Sequence, residues 1–237
     1  MDIFTERLRV ERDMTPGDLL RCAQETAGHH CDQLGVNQAY LDEKGLFWAI
    51  IRNRLAIYRL PKAGETLRLE TWPMPTGRTA YPRSVVAYGE NGEMLFACHS
   101  LWILMDMESR AMVLPCKSGV EVAGITRENT LPAPKSLSPV AEESAFYRTV
   151  SAPDIDKNRH MNNARYLDWV AQLIPAGTRL TGANLCYLNE SREGQTLRVC
   201  CGEATDHALA VELRREKENG DFDRIFAAQL EFDKVVL

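Results

Sequence analysis

The stretch DIDKNRHMNNARYLDWV, Asp154 to Val170, places Asp156, Asn158 and His160 at alternate positions just before an apolar run. A carboxylate can act as base or nucleophile. A histidine moves protons near neutral pH. An asparagine amide can donate to a developing oxyanion or hold a water. In extended backbone these three side chains share one side, so the spacing predicts a polar face converging on one cavity. The free amides at the start of the following helix add donors with a favourable dipole. Asp, Asn and His are also turn and cap formers, and composition alone leaves that alternative open.

These residues need elements to position them. Asn162 or Asn163 can cap a helix with Tyr166, Val170, Leu173 and Ile174 on one face, closed by Pro175 and Gly177. An earlier helix, TPGDLLRCAQETAGHHCDQLG, has Thr15 as cap and Pro16 at its first position. Leu19, Ala23, Ala27, Cys31 and Leu34 share its face, and Gly35 can end it. His29 and His30 read as packing or surface residues beside that face.

The chain repeats itself. Gly64-Glu-Thr-Leu-Arg-Leu69 returns as Gly194-Gln-Thr-Leu-Arg-Val199, an offset of 194 − 64 = 130 residues. Each half opens with an extended stretch (Glu6 to Arg12; Phe146 to Ser151), continues with a helix and ends in strand-like runs. The first set is Phe47–Tyr58, Thr66–Trp72, Pro82–Gly89 and Met94–Leu104. The second is Gly182–Leu188, Gln195–Glu203, Ala208–Arg215 and Arg224–Phe232. Turns are expected at Glu90-Asn91-Gly92 and Asn219-Gly220. This pattern predicts an α+β chain: a unit over 1–113, a Pro-rich linker over 114–144 and a second unit over 145–237.

Composition bounds the function. Of 237 residues, 45% are hydrophobic and 26% charged, with a net charge of -5, which argues against a broad nucleic-acid surface. No apolar run reaches the roughly 18 residues needed to cross a bilayer. The opening MDIFTERLRVERDM is charged and without an apolar signal core, so a cytoplasmic protein is expected. The seven cysteines form no CxxC pair and read as reduced, mostly buried small hydrophobes.

With these motifs assembled, the chain resembles the acyl-acyl carrier protein thioesterases, enzymes of the plant and bacterial type that end fatty acid synthesis. The segment carrying Asp154, Asp156, His160, Asn162, Asn163 and Tyr166 fits their Asp-x-Asp-x-x-x-His-x-Asn-Asn-x-x-Tyr pattern. Gln24-Glu25-x-Ala27, Trp48-x-x-x-Arg52, Pro61-x-x-Gly64-Glu65, Thr71-Trp72, Arg78, Arg83, Gly92-Glu93 and Ser100-x-Trp102 follow in the family's order.

The resemblance implies a tandem (double) hot-dog fold, with two antiparallel sheets each wrapping a long helix. It implies that the first unit supplies much of the acyl pocket and the second the chemistry. The family's catalytic roles fall on Asp156, Asn158 and His160. Its downstream Glu-Cys pair falls on Glu190 and Ser191; the serine argues against an obligatory cysteine nucleophile. The implied activity is hydrolysis of fatty acyl-carrier-protein thioesters, with no metal or organic cofactor. The implied partner is acyl carrier protein bearing a phosphopantetheine-linked acyl chain, without membrane insertion; a homodimer stays open. Lys157, Arg159 and Arg165 could steer the acidic carrier. Ala27, on a helix with small residues at Ala23 and Gly28, and Trp48 are candidates to line the pocket. An acyl-CoA thioesterase, a non-hydrolytic acyl-binding module and a hot-dog dehydratase are the alternatives.

Overall fold

In a computed structural model, residues 3–128 and 130–235 are described. The chain divides into two compact units, Met1–Met14 with Leu19–Pro134 and Thr15–Asp18 with Lys135–Leu237.

The elements of the first unit are β1 (Phe4–Arg9), α1 (Pro16–Gln33) from Leu19 onward, α2 (Gln38–Glu43), β2 (Leu46–Ile57), β3 (Thr66–Pro73), β4 (Tyr81–Tyr88), β5 (Met94–Asp106), β6 (Met112–Val113) and α3 (Pro115–Ser118). Its antiparallel sheet runs β1-β3-β4-β5-β2, with β6 beside β5. Helix α1 is capped reciprocally: Thr15 N donates to Asp18 Oδ2 (2.9 Å), and Asp18 N donates to Thr15 Oγ1 (3.2 Å). Leu19, Leu20, Ala23, Ala27 and His30 are buried along it, at helical spacing. Gly35, at φ +72°, ends this segment in the left-handed region that favours glycine.

The second unit contains β7 (Ser144–Thr149), a 3₁₀ turn (Ala152–Asp154), α4 (Asn163–Ala171), β8 (Thr178–Tyr187), β9 (Thr196–Cys201), β10 (Ala208–Glu216) and β11 (Phe222–Lys234). Its antiparallel strands run β7-β9-β10-β11-β8, the same order as in the first unit.

The sequence echo has a backbone cause. Gly64 and Gly194 sit at φ +89° and +80°, and each donates its N–H to the valine that follows an opening strand, Val10 (2.8 Å) and Val150 (2.9 Å). Those valines donate back to Glu65 (2.8 Å) and Gln195 (2.9 Å). The motif is thus the same tight entry into the same strand, made twice.

One detail departs from expectation. Helix α4 has nine residues and stops at Ala171, so Leu173 and Ile174 lie beyond it. Proline disfavours helical backbone at the residue before it, here Ile174. The 114–144 segment is held at several points along its length. Val120 is buried with Leu41, Leu46 and Tyr81, and the His99 ring lies 2.9 Å from the Leu131 carbonyl. Within the second unit, Val140 N donates to the buried Glu212 carboxylate (3.2 Å), and Arg224 donates to Leu137 O (3.1 Å).

Candidate active site

The Asp156–His160 segment forms a tight turn, which corrects the extended backbone expected from its alternation. Ile155 and Met161 pair across it. Asp156 N donates to His160 O (2.9 Å), and Arg159 N donates to Asp156 O (3.0 Å). Arg159 occupies the left-handed region at φ +63°. The cause is the Asp156 side chain, whose Oδ1 accepts from Asn158 N (2.8 Å) and His160 N (3.4 Å). Such local bonds compete with extended backbone and close a turn.

The turn is fastened at both ends. Met161 N donates to Ser191 O (2.8 Å), and Asn162 N donates to Asp154 O (2.8 Å). The first bond joins the turn to the loop after β8. That loop is itself held, with Leu188 N and Asn189 N donating to Ile225 O (2.9 and 3.1 Å) and Arg215 donating to Glu190 O (3.2 Å). Glu190 is thereby delivered to the turn, and its Oε2 lies 3.1 Å from His160 Nε2. The histidine side chain is 20% exposed and the glutamate 46%, so the pair opens to solvent. Asn158 is exposed on the turn.

Asp154 and Asn162 hold the geometry. Asn162 caps α4, its Oδ1 accepting from Ala164 N (2.9 Å). The buried Asp154 carboxylate accepts from Ser151 N (3.1 Å), Ser151 Oγ (2.8 Å), Arg165 Nε (3.1 Å) and Trp169 Nε1 (3.2 Å). Burial alone would raise its pKa; these bonds outweigh burial and hold the carboxyl below the usual range. Arg165 also pairs with Asp168 (3.0 Å), and Asp168 accepts from Gly17 N (2.9 Å). Arg165 is therefore committed to two internal carboxylates, whereas Lys157 and Arg159 are exposed. The role of Asp154 was readable as a Ser-x-x-Asp capping pattern.

Ser191 is fully buried. Its neighbour Tyr166 stacks on Phe226 at 4.9 Å, and burial pushes the phenol up to about 12 against the pull of Ser191. Among the described residues, no group of three or more His, Cys, Asp or Glu is arranged to hold a metal ion.

Ala27 and Trp48 both line a cavity of about 290 Å³ within the first unit. Trp102 and Met74 also line it, whereas Trp72 is core, packed with Val86 and Ala97. The polar residues of this wall include Gln24 and Arg83. Both were visible as ordered motif residues in the sequence, but nothing local marked them as cavity-facing.

The geometry has counterparts. Residues 1–115 match the acyl-ACP thioesterase N-terminal domain, and residues 138–234 match the acyl-ACP thioesterase C-terminal domain. A chloroplastic acyl-[acyl-carrier-protein] hydrolase of Cuphea viscosissima is 23% identical over 82% of this chain and 52% of its own length. A chloroplastic dodecanoyl-[acyl-carrier-protein] hydrolase of Umbellularia californica is 26% identical over 80% of this chain and 57% of its own length. The chain spans about half the length of the curated relatives it matches.

Among solved structures, an acyl-ACP thioesterase from Bacteroides thetaiotaomicron superposes with a TM-score of 0.82, at 22% identity, covering 98% of each chain. The 12:0-ACP thioesterase from Umbellularia californica gives 0.78 at 18% identity, also covering 98% of each chain. The shared architecture is the tandem hot-dog fold. Among the described residues, no helix is long and apolar enough to cross a membrane.

Proposed function

Because this chain belongs to the acyl-acyl carrier protein thioesterase family, we propose that it hydrolyses fatty acyl-carrier-protein thioesters to free fatty acid and carrier protein, ending chain elongation. The observation that carries this reading is the 3.1 Å approach of His160 Nε2 to Glu190 Oε2 beside the Asp156 turn.

A thioester carbonyl is already activated, because sulfur donates poorly into it. Hydrolysis needs a base, a proton donor and a group to meet the oxyanion. Glu190 takes a proton from water as its oxygen bonds to the carbonyl carbon. The carbonyl electrons move onto oxygen, where the Asn158 amide donates. When the carbonyl re-forms, the C–S bond breaks and its electrons leave with sulfur. His160, 3.1 Å from Glu190, relays the proton taken from water to the departing thiolate, which leaves both groups as they began. Asp156 holds Asn158 and His160 through their backbone amides.

The cavity lined by Ala27 and Trp48 is the proposed seat of the acyl chain. The thioester would arrive on the carrier's phosphopantetheine arm, with the exposed Lys157 and Arg159 available to the acidic carrier. The seven cysteines are free thiols, in keeping with a reducing compartment such as the cytoplasm. The test is turnover on matched acyl-carrier protein and acyl-CoA, with released acids identified by mass spectrometry. Faster release from the carrier protein supports the reading. Preference for the CoA ester makes the enzyme an acyl-CoA thioesterase, and intact thioester after long incubation makes it a binding module.

A further inference from the structure

Building on the thioesterase reading, we infer that the first unit's cavity selects acyl chains carrying an acceptor oxygen along their length (hydroxyl, oxo or a second carboxylate) and that Arg83 is the group that reads it.

Arg83 lies on β4, is 6% exposed and lines the cavity. A guanidinium stays charged in a protein, and burying a charge without a partner of opposite sign is costly. Yet all the groups it meets are neutral. Its Nη1 lies 3.0 Å from His30 Nδ1 and 3.2 Å from Thr71 Oγ1, and its Nη2 lies 3.7 Å from Cys31 Sγ. Arginine can only donate, so His30 Nδ1 accepts and the imidazole carries its proton on Nε2. Burial and the adjacent Arg83 charge bring His30 down to about 4, and burial raises the Cys31 thiol, so neither offsets the cation. Among the described residues no carboxylate pairs with Arg83. Asp32, also on the lining, is exposed.

Two other residues of the same wall carry donors left without a partner. Gln24 Nε2 and Trp48 Nε1 are buried without an acceptor, and both residues line the cavity. The rest of the wall is largely apolar, with Ala27, Val36, Met74 and Trp102. A plain alkyl chain would match those apolar residues but leave the cation and both N–H groups unanswered. A chain with an oxygen at the right depth answers them through a charge-assisted hydrogen bond.

The experiment uses the full chain and carrier-protein thioesters of one carbon number: unsubstituted, hydroxylated or oxo-substituted at successive positions, and carboxylated at the far end. The expected result is that at least one oxygenated chain exceeds the unsubstituted one about tenfold or more in kcat/KM, the scale of one hydrogen bond to a charged group. Arg83→Met should bring that ratio close to one while the unsubstituted chain is still turned over. A wild-type preference for the unsubstituted chain throughout overturns the inference, as does an unchanged ratio in Arg83→Met. Should that variant not fold, the wild-type ratios decide, with Gln24→Leu expected to diminish the preference. If no thioester is hydrolysed, the enzymatic reading fails separately. Calorimetric titration with the methyl esters of the same chains, which carry no thioester, then decides the cavity: tighter binding of an oxygenated ester upholds it, and equal binding across the series overturns it.

Discussion

His160 and Glu190 belong to different loops of the second unit, yet their side chains meet at 3.1 Å, held there by the Met161 N to Ser191 O bond of 2.8 Å. A pair that works as one unit loses nearly everything when either member goes. His160→Ala and Glu190→Ala should each lower kcat about a hundredfold, the scale of a positioned acid-base group. The double variant should be only a few-fold worse than the poorer single. Near-normal turnover in folded Glu190→Ala would remove the pair from the chemistry.

Asp156 accepts two backbone N–H groups through one oxygen. An asparagine can accept the same two; an alanine cannot. Asp156→Ala should lose about a hundredfold in turnover, whereas Asp156→Asn should keep at least about a tenth of it. Steady-state kinetics on both variants separates the roles. Equal, complete loss in Asp156→Asn would mean that the negative charge itself takes part in the reaction.

Ser191 contributes its carbonyl to the turn, and its side chain is fully buried. Ser191→Ala leaves the carbonyl in place. Turnover within about threefold of wild type is expected, since the substitution removes one buried neutral hydroxyl and no charged or acid-base group. A hundredfold loss would make the hydroxyl a participant.

Ala27 is buried and lines the first unit's cavity. Each methylene that finds room contributes roughly 0.8 kcal/mol of burial, and a blocked path reverses that gain. Ala27→Leu and Ala27→Phe should shift the released acids towards shorter chains while leaving the chemical step usable. The product profile across an acyl-carrier-protein series is the measurement. An unchanged profile in a stable, active variant would place the chain elsewhere.

Stability should depend on pH through His30, whose pKa falls from 6.5 to about 4 because of burial first and the Arg83 charge second. The unfolded chain then binds more protons than the folded one between those values, so stability rises with pH across the window. It is fully present above about 6.5 and is lost progressively as pH falls towards 4. Urea midpoints should fall from pH 7 to pH 4, and His30→Gln should flatten part of that slope. The buried His99, also lowered chiefly by burial, contributes the same sign and remains in the variant. An identical slope with and without His30 would refute its part.

What this sequence determines by itself is local. Thr15 and Asn162 are helix caps, Gly64 and Gly194 are tight strand entries, and Gly92 and Gly220 take left-handed turn positions because few other residues suit them. The hydrophobic periods that mark strands and α1 need only neighbours in sequence, so the repeat and its α+β class are legible in one dimension. Alternation at Asp156 describes a strand, while a single carboxylate reaching back to two amides closes the chain into a turn instead. Other features depend on partners far along the chain. Arg165 reads as a free surface cation until Asp154 and Asp168 are found beside it. Arg83 reads as an ordinary strand residue until packing removes it from water without supplying a carboxylate. Whether a charge is solvated, paired or left waiting for a ligand depends on which groups the fold brings within a few ångströms, and that is decided in three dimensions.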